Sequence, residues 1–302
     1  MSYLRISDQV AAALRQGQPV VGLETSVLAH GLPHPENLST VHEMMAAVED
    51  AGAVPASVGV VAGEVVVGLT RDELERFSHD PNVAKASERD LGVLVGLGRD
   101  GATTVAATVA MAAMAGISVV ATGGIGGVHR GGEASFDVSA DLKALARHRV
   151  AVVCSGAKSI LDLALTNEVL ETEGVPVVGF GTRWLPGFHL AQTDIALEHS
   201  VDSVKQAADV IRAHFALAPG GIVLANPVPV LAAIASERLR DWVEEAEREA
   251  MRQGIVGKAQ TPFLLGQIAA ASGGRTLRAN TALLVNNAVL AGQLATMLAL
   301  GR

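Results

Sequence analysis

Apolar positions along this chain follow two periods that alternate. Residues 150–154 form a short apolar run that reads as a strand buried on both faces. Ser155 and Gly156 then supply a turn, and a helix is predicted from Ala157 onward, carrying Ile160, Leu161, Leu163 and Leu165. Similar strand-like runs occupy residues 18–23, followed by Glu24, residues 117–121, residues 176–181, and residues 221–225, followed by Asn226. Residues 58–67 read as a hairpin turning at Gly63. Helical periodicity is predicted for residues 7–15, about 40–51 with Asn37 or Ser39 as cap, 142–148, 201–216 and 237–253. Thr70 followed by Glu73 is a capping box that opens a short helix ending near His79. A last helix begins around Arg278 to Thr281.

Near-continuous apolar strands alternating with helices predict an α/β fold. The expected architecture is a three-layer α/β/α sandwich around a central, mostly parallel sheet, with a small hairpin and a helical C-terminal third. With no linker, low-complexity segment or repeat, residues 1–302 are expected to form a single domain.

Composition narrows the partners. Hydrophobic residues make up 49% of the 302, aromatics only 3%, and the formal net charge is −8. With no basic run, nucleic acid and anionic membrane are poor partners, while a small anionic ligand held by local cations is allowed. Two stretches are apolar enough to suggest membrane spans. Residues 105–122 contain Gly116 and change to strand residues, and residues 281–300 carry Asn286, Asn287 and Gln293, so both are read as core segments. The single cysteine, Cys154, and a start with no basic region ahead of an apolar core point to a cytoplasmic protein.

Candidate chemistry collects at the ends of the predicted strands, where open α/β sheets bind ligands. Lys158 falls in the first turn of the predicted helix after residue 156. The helix dipole and an apolar setting would both lower its pKa, and a neutral amine there suits Schiff-base chemistry; a solvated surface lysine is the competing reading. Glu24 is either an acid or base, or an edge carboxylate satisfied by a helix terminus. Residues 101–106 open an alanine-rich helix after a glycine turn, which makes an anion site of free N–H groups and the hydroxyls of Thr103 and Thr104, or simply a threonine cap. Lys85, unremarkable alone, would favour phosphate there. Six glycines among residues 121–132 lack a phosphate-loop lysine and the full dinucleotide fingerprint, and read as a substrate-cradling loop. Ser135, Asp137, Ser139 and Asp141 supply hard oxygen donors for a magnesium- or manganese-type ion, or else plain helix caps. The loop holding Trp184, Phe188 and His189 is expected to line a pocket.

Taken together, several blocks in order resemble the pseudouridine-5'-phosphate glycosidases, also called the indigoidine synthase A type. They are residues 22–33 (Gly-Leu-Glu-Thr-Ser-Val-Leu-Ala-His-Gly-Leu-Pro), 83–85, 101–108, 121–130, 137–142 and 156–162 (Gly-Ala-Lys-Ser-Ile-Leu-Asp), with Asn226-Pro227 and residues 280–287 agreeing as well. The resemblance implies a homotrimer, a manganese-type divalent cation, and reversible cleavage of pseudouridine 5'-phosphate to uracil and ribose 5-phosphate. It implies Lys158 as nucleophile, Glu24 as proton donor, and substrate contacts from Lys85, Val105, Ser139, Ala140 and Asp141. Thr104 and Asn280 would join the sugar-phosphate site and Asp137 would hold the metal.

Two rivals remain from the residues alone. A Schiff-base sugar-phosphate aldolase or isomerase would use the same lysine, but calls for an eightfold strand-helix pattern that the chain does not supply. A non-catalytic sugar-phosphate binder would use Lys158 and Lys85 only to neutralise phosphate. A nucleoside kinase is disfavoured by the missing phosphate loop.

Overall fold

The computed structural model of the chain describes residues 3–301. The chain opens with β1 (Leu4–Ile6), α1 (Asp8–Arg15), β2 (Val20–Leu23), α2 (Ser26–His30) and α3 (Glu36–Asp50). The hairpin strands β3 (Val54–Val61) and β4 (Glu64–Val67) lead to α4 (Arg71–His79), β5 (Ala84–Ala86), α5 (Leu91–Gly96), β6 (Gly101–Thr103) and α6 (Val105–Ala115). There follow β7 (Val119–Ala121), β8 (Val128–His129), α7 (Gly132–Ser135), α8 (Ala140–Arg147), β9 (Ala151–Cys154), β10 (Leu161–Asp162) and α9 (Leu163–Thr172). The rest comprises β11 (Val177–Phe180), β12 (His199–Val201), α10 (Val204–Leu217), β13 (Ile222–Ala225), α11 (Ser236–Gln253), α12 (Gln260–Ala271) and α13 (Arg275–Ala299). The C-terminal third is helical, as its periodicity predicts.

Parallel pairing runs β3-β2-β7-β9-β13-β11-β12 through the main sheet. Side chains alternate between two cores along each strand. Val20, Val120 and Val152 face α1, α6, α8 and α11, whereas Val21, Val119, Ala121 and Val153 face α3, α10 and α13. This is the three-layer sandwich that continuous apolar strands require. The sheet is open, running from β1 to β12, and does not close into the barrel that the aldolase reading calls for.

β3 is long enough to serve two partners in succession. Residues 54–57 pair with β2, and the second half pairs antiparallel with β4 and β6. The small mixed sheet so formed carries β5, and with it Lys85, to the end of the main sheet. The hairpin turns at Ala62 and Gly63, both at positive φ, and the capping box of Thr70 and Glu73 is formed.

Several boundaries differ from the periodicity. The predicted cap Asn37 lies inside α3, which begins at Glu36; its buried amide donates to the carbonyls of Leu28 and Ser78, both at 2.7 Å, tying α2 and α4 together. Residues 101–103, read as the opening of a helix, form strand β6, and α6 begins only at Val105. α13 starts at Arg275 and is long and apolar enough to cross a membrane, yet it packs against α3, α10, β7 and β9 with Asn287 fully buried. Asn286 and Asn287 are hydrogen-bonded inside the fold, which makes it a core helix.

Candidate active site

Parallel pairing aligns the ends of neighbouring strands. Leu23 is level with Ala121, Ala121 with Val153, and Cys154 with Ala225, so Glu24, Thr122, Ser155 and Asn226 emerge side by side at the C-terminal edge. Asn287 from α13 fastens this edge. Its amide donates to the carbonyl of Thr122 at 2.8 Å, and its Oδ1 accepts from Asn226 Nδ2 at 3.0 Å. Glu24 is 5% exposed, and both of its oxygens are held: Oε1 accepts from the Thr122 hydroxyl and Oε2 from Ser26 Oγ at 2.7 Å. The satisfying groups are side-chain hydroxyls, so the expected alternative of an edge carboxylate neutralised by a helix terminus does not apply.

A cleft of two joined lobes lies over this edge. The outer lobe, about 380 Å³, is lined by Thr104, His129, Asp137, Ser139, Ala140 and Asp141. The inner lobe, about 40 Å³, is lined by His30, Gly123, Gly124, Phe188, Asn280 and Leu284. Glu24, Ser26, Lys85, Lys158 and Thr261 line both. The structure therefore brings together every residue that the resemblance assigns to the site except Val105, which starts α6 behind Thr104 and is 1% exposed; Thr103, Ser135 and His189 line neither lobe. Phe188 lines the inner lobe, while Trp184 lies on a separate groove with Leu190 and Arg240.

Lys158 is not in the first turn of a helix. The chain after Ser155 is tied to distant segments instead: Gly156 at φ +74 bridges Gly187, Ala157 bridges Ile125, and Lys158 donates its N–H to the Ile125 carbonyl at 3.1 Å. α9 begins only at Leu163, capped by the Asp162 carboxylate. The dipole argument for Lys158 therefore falls, and what distinguishes the side chain is its half-buried place between both lobes.

Two lysines, Lys85 and Lys158, stand where the lobes meet. His129 is held below the usual histidine range first by burial, with Asp137 pulling the other way and both Lys85 and Lys158 adding to the depression. Burial and Lys85 act likewise on His30. Both imidazoles are therefore neutral at pH 7 beside two lysines, a setting that favours a bound anion. His129, His30, Thr122 and Ser26 were not singled out in the sequence; the signal available for them was position, one residue from a strand end or just beyond Glu24.

Thr104 precedes α6 but makes no capping bond, and its buried hydroxyl finds no hydrogen-bond partner among the described residues. The plain-cap reading is thus overturned there. Ser139 does cap α8, accepting from the Asp141 N–H at 3.2 Å. The Asp141 carboxylate is engaged by the backbone, accepting from Ala106 N at 2.9 Å and Gly126 N at 2.7 Å, and so joins the start of α6 to the glycine loop. In that loop only Gly131 takes a positive φ. The others are small because protein packs on them: a Cβ on Gly126 would strike Ser139, one on Gly127 would strike Thr166, and one on Gly124 would lie 2.6 Å from Phe188. The loop is shaped by its neighbours more than by ligand approach.

Asp137 lines the outer lobe with its carboxylate beside His129. No group of three or more His, Cys, Asp or Glu able to hold a metal occurs among the described residues. One carboxylate and nearby hydroxyls suit a hard divalent ion that keeps several waters and takes substrate oxygens, and do not suit a fully protein-ligated one. Asn280 stands at the inner lobe, 7% exposed, its Oδ1 without a partner among the described residues.

Comparison with known proteins agrees with this geometry. The family model described as "Indigoidine synthase A like protein" matches residues 9–297. The pseudouridine-5'-phosphate glycosidase of Herpetosiphon aurantiacus is 50% identical over 299 residues, covering 99% of each chain. The protein of that name from Escherichia coli is 45% identical, covering 97% of this chain and 94% of its own. Among solved structures, the prealnumycin C-glycosynthase AlnA in complex with ribulose 5-phosphate superposes with a TM-score of 0.91 at 39% identity, covering 99% of this chain and 97% of its own. An indigoidine synthase A-like protein from Thermotoga maritima gives 0.90 at 34% identity, with the same coverage. Sequence over nearly the whole length and fold agree, and the chain belongs to the indigoidine synthase A-like family.

Proposed function

We propose that this protein reversibly cleaves the C–C glycosidic bond of pseudouridine 5'-phosphate to uracil and ribose 5-phosphate, with Lys158 as nucleophile and Glu24 as proton donor. The observation that carries the reading is that two lysines, Lys85 and Lys158, and one buried carboxylate, Glu24, line both lobes of one cleft, in a chain whose relatives bear that activity in their names. Glycosidases that work on C–O bonds commonly pair two carboxylates. A base attached through carbon is a poor leaving group, and a lysine nucleophile with a single acid offers another route.

Glu24 gives a proton to the ribose ring oxygen while the Lys158 amine attacks C1', so the C1'–N bond forms and the C1'–O bond breaks. The new ammonium gives a proton to the Glu24 carboxylate, and the freed nitrogen lone pair expels the base: the bond from C1' to uracil C5 breaks, C5 takes that proton back from Glu24, and neutral uracil leaves. The remaining protonated imine joins Lys158 to open-chain ribose 5-phosphate, and water hydrolyses it. General acid and covalent catalysis each contribute on the order of a hundredfold or more.

The phosphate is assigned to the outer lobe, where Lys85, Thr104, Ser139 and Ala140 and the start of α6 at Val105 stand, with Asp141 ordering that wall. Asn280, at the inner lobe, joins the sugar-phosphate site. Asp137 would hold the divalent ion of manganese type, which when bound neutralises phosphate charge. A five-carbon sugar phosphate is supported by the ribulose 5-phosphate in AlnA. A homotrimer in the cytoplasm completes the reading, and light scattering reads the oligomer directly.

Uracil release from pseudouridine 5'-phosphate, with and without manganese, tests the activity. Borohydride added with ribose 5-phosphate should fix one sugar phosphate on Lys158 by peptide mass. Release of uracil with no such adduct removes the imine, and no release in either metal condition removes the activity.

A further inference from the structure

The mechanism above uses no residue of the loop that follows β11, yet that loop reaches the nucleophile. Gly187 bridges Gly156, and Phe188 donates its N–H to the Ser155 carbonyl at 2.8 Å. Phe188 itself sits at φ +62, left-handed and 2% exposed, a conformation that a bulky residue adopts only where its surroundings enforce it. Its ring lines the inner lobe and meets the His189 ring edge-on, centroids 4.7 Å apart. His189 is thereby fixed in orientation, 2% exposed. Its Nδ1 lies 3.0 Å from Ser159 Oγ, and the ring also hydrogen-bonds the backbone of Thr276. A neutral imidazole has one donor and one acceptor and can satisfy two such partners at once. Burial lowers its pKa to about 3, which keeps it neutral at working pH.

The two partners matter by position. Ser159 adjoins Lys158, whose own N–H is held by Ile125 on the opposite side. Thr276 is in the first turn of α13, one turn before Asn280. The ring therefore spans the gap between the segment that carries the nucleophile and the helix that carries the inner-lobe asparagine.

We infer that His189, with Ser159, is a positioning residue that sets the approach of the Lys158 amine to C1' by clasping the Lys158 segment to the start of α13. This rests on the role of Lys158 proposed above. Side-chain distance errors near 1 Å are enough to cost large factors in a step that depends on attack geometry, so the clasp acts on turnover and not on phosphate affinity.

The test compares wild type, Ser159→Ala, Ser159→Thr and His189→Phe under the same conditions. Expected is a kcat about tenfold or more lower for Ser159→Ala, with KM within about twofold, and a rate of borohydride-trappable adduct formation with ribose 5-phosphate that falls in the same ratio. Ser159→Thr, which keeps the hydroxyl, should recover most of the rate. His189→Phe keeps the aromatic contact and should match Ser159→Ala; if it fails to fold, Ser159→Ala and Ser159→Thr decide alone. A Ser159→Ala protein with a lowered melting temperature but unchanged kcat and trapping rate overturns the inference, as does failure of Ser159→Thr to recover the rate. Absence of uracil release and adduct in wild type is a separate result and counts against the proposed function itself.

Discussion

Glu24 is the residue whose surroundings best define its task. Both oxygens accept from hydroxyls, Thr122 on β7's edge and Ser26 in the next turn of its own chain, so the carboxyl is aimed by two donors from different elements. Hydroxyls can turn to accept as well as donate, which lets the group hold or release a proton without losing its partners. Replacing Glu24 by Gln keeps shape and hydrogen bonding but removes the acid. Uracil release should fall by a factor on the order of 10² to 10⁴ with the melting temperature little changed. Thr122→Val removes one aiming donor and should cost roughly tenfold in kcat, the kinetic equivalent of about 1.4 kcal/mol. Full activity in Glu24→Gln would strip the residue of its role.

Elements were legible where local pattern decides them and obscure where distant chain decides them. The hairpin at Gly63, the capping box at Thr70 and the paired strand ends bearing Glu24 and Asn226 follow from turn chemistry and period, and all are present. The helix expected over Lys158 fails because long-range ties to Ile125 and Gly187 hold residues 156–158 out of helical conformation, information absent from the local run. Asn287 looked only like a polar misfit in an apolar stretch, since its partners lie more than 60 residues away. Gly156 exposes this difference experimentally. Its φ is +74 and a Cβ there would collide with the Pro186 carbonyl, so the loop carrying Phe188 can lie against it only because the side chain is missing. Gly17 has a similar φ of +67 but nothing within 4 Å of a Cβ among the described residues. Gly17→Ala should cost about 1 kcal/mol from backbone strain alone, and Gly156→Ala several kcal/mol together with loss of uracil release. Urea denaturation of both variants measures the contrast; equal midpoints would mean that the β9 turn and the Phe188 loop are not packed as described.

At the scale of the whole molecule, the cleft is assembled from segments spread between Glu24 and Asn287, so the site is intact only when the sandwich is, and what strains its buried polar groups strains the fold. Three of those groups are histidines that burial holds below their ordinary range: His30, His129 and His189, the last to about 3. In the unfolded chain each would take up a proton near 6.5, so below that pH the unfolded state binds more protons and folding stability falls as pH falls. For His189 alone the loss between neutral pH and pH 5 is on the order of 2 kcal/mol. The two half-buried histidines add to it in the same direction with smaller weight. The ion-paired carboxylates Asp100 and Glu73, lowered chiefly through their arginine partners and backbone hydrogen bonds against the opposing cost of burial, begin to lose their contribution only at more acid pH. The expected outcome is a melting temperature that drops by several degrees from pH 7.5 to pH 5, with a flatter slope in His189→Phe because that variant has no proton to take up at this position. A wild-type melting temperature that stays level over this interval would mean that His189 reaches solvent in the folded protein, and the clasp between Lys158 and α13 would then have no fixed centre.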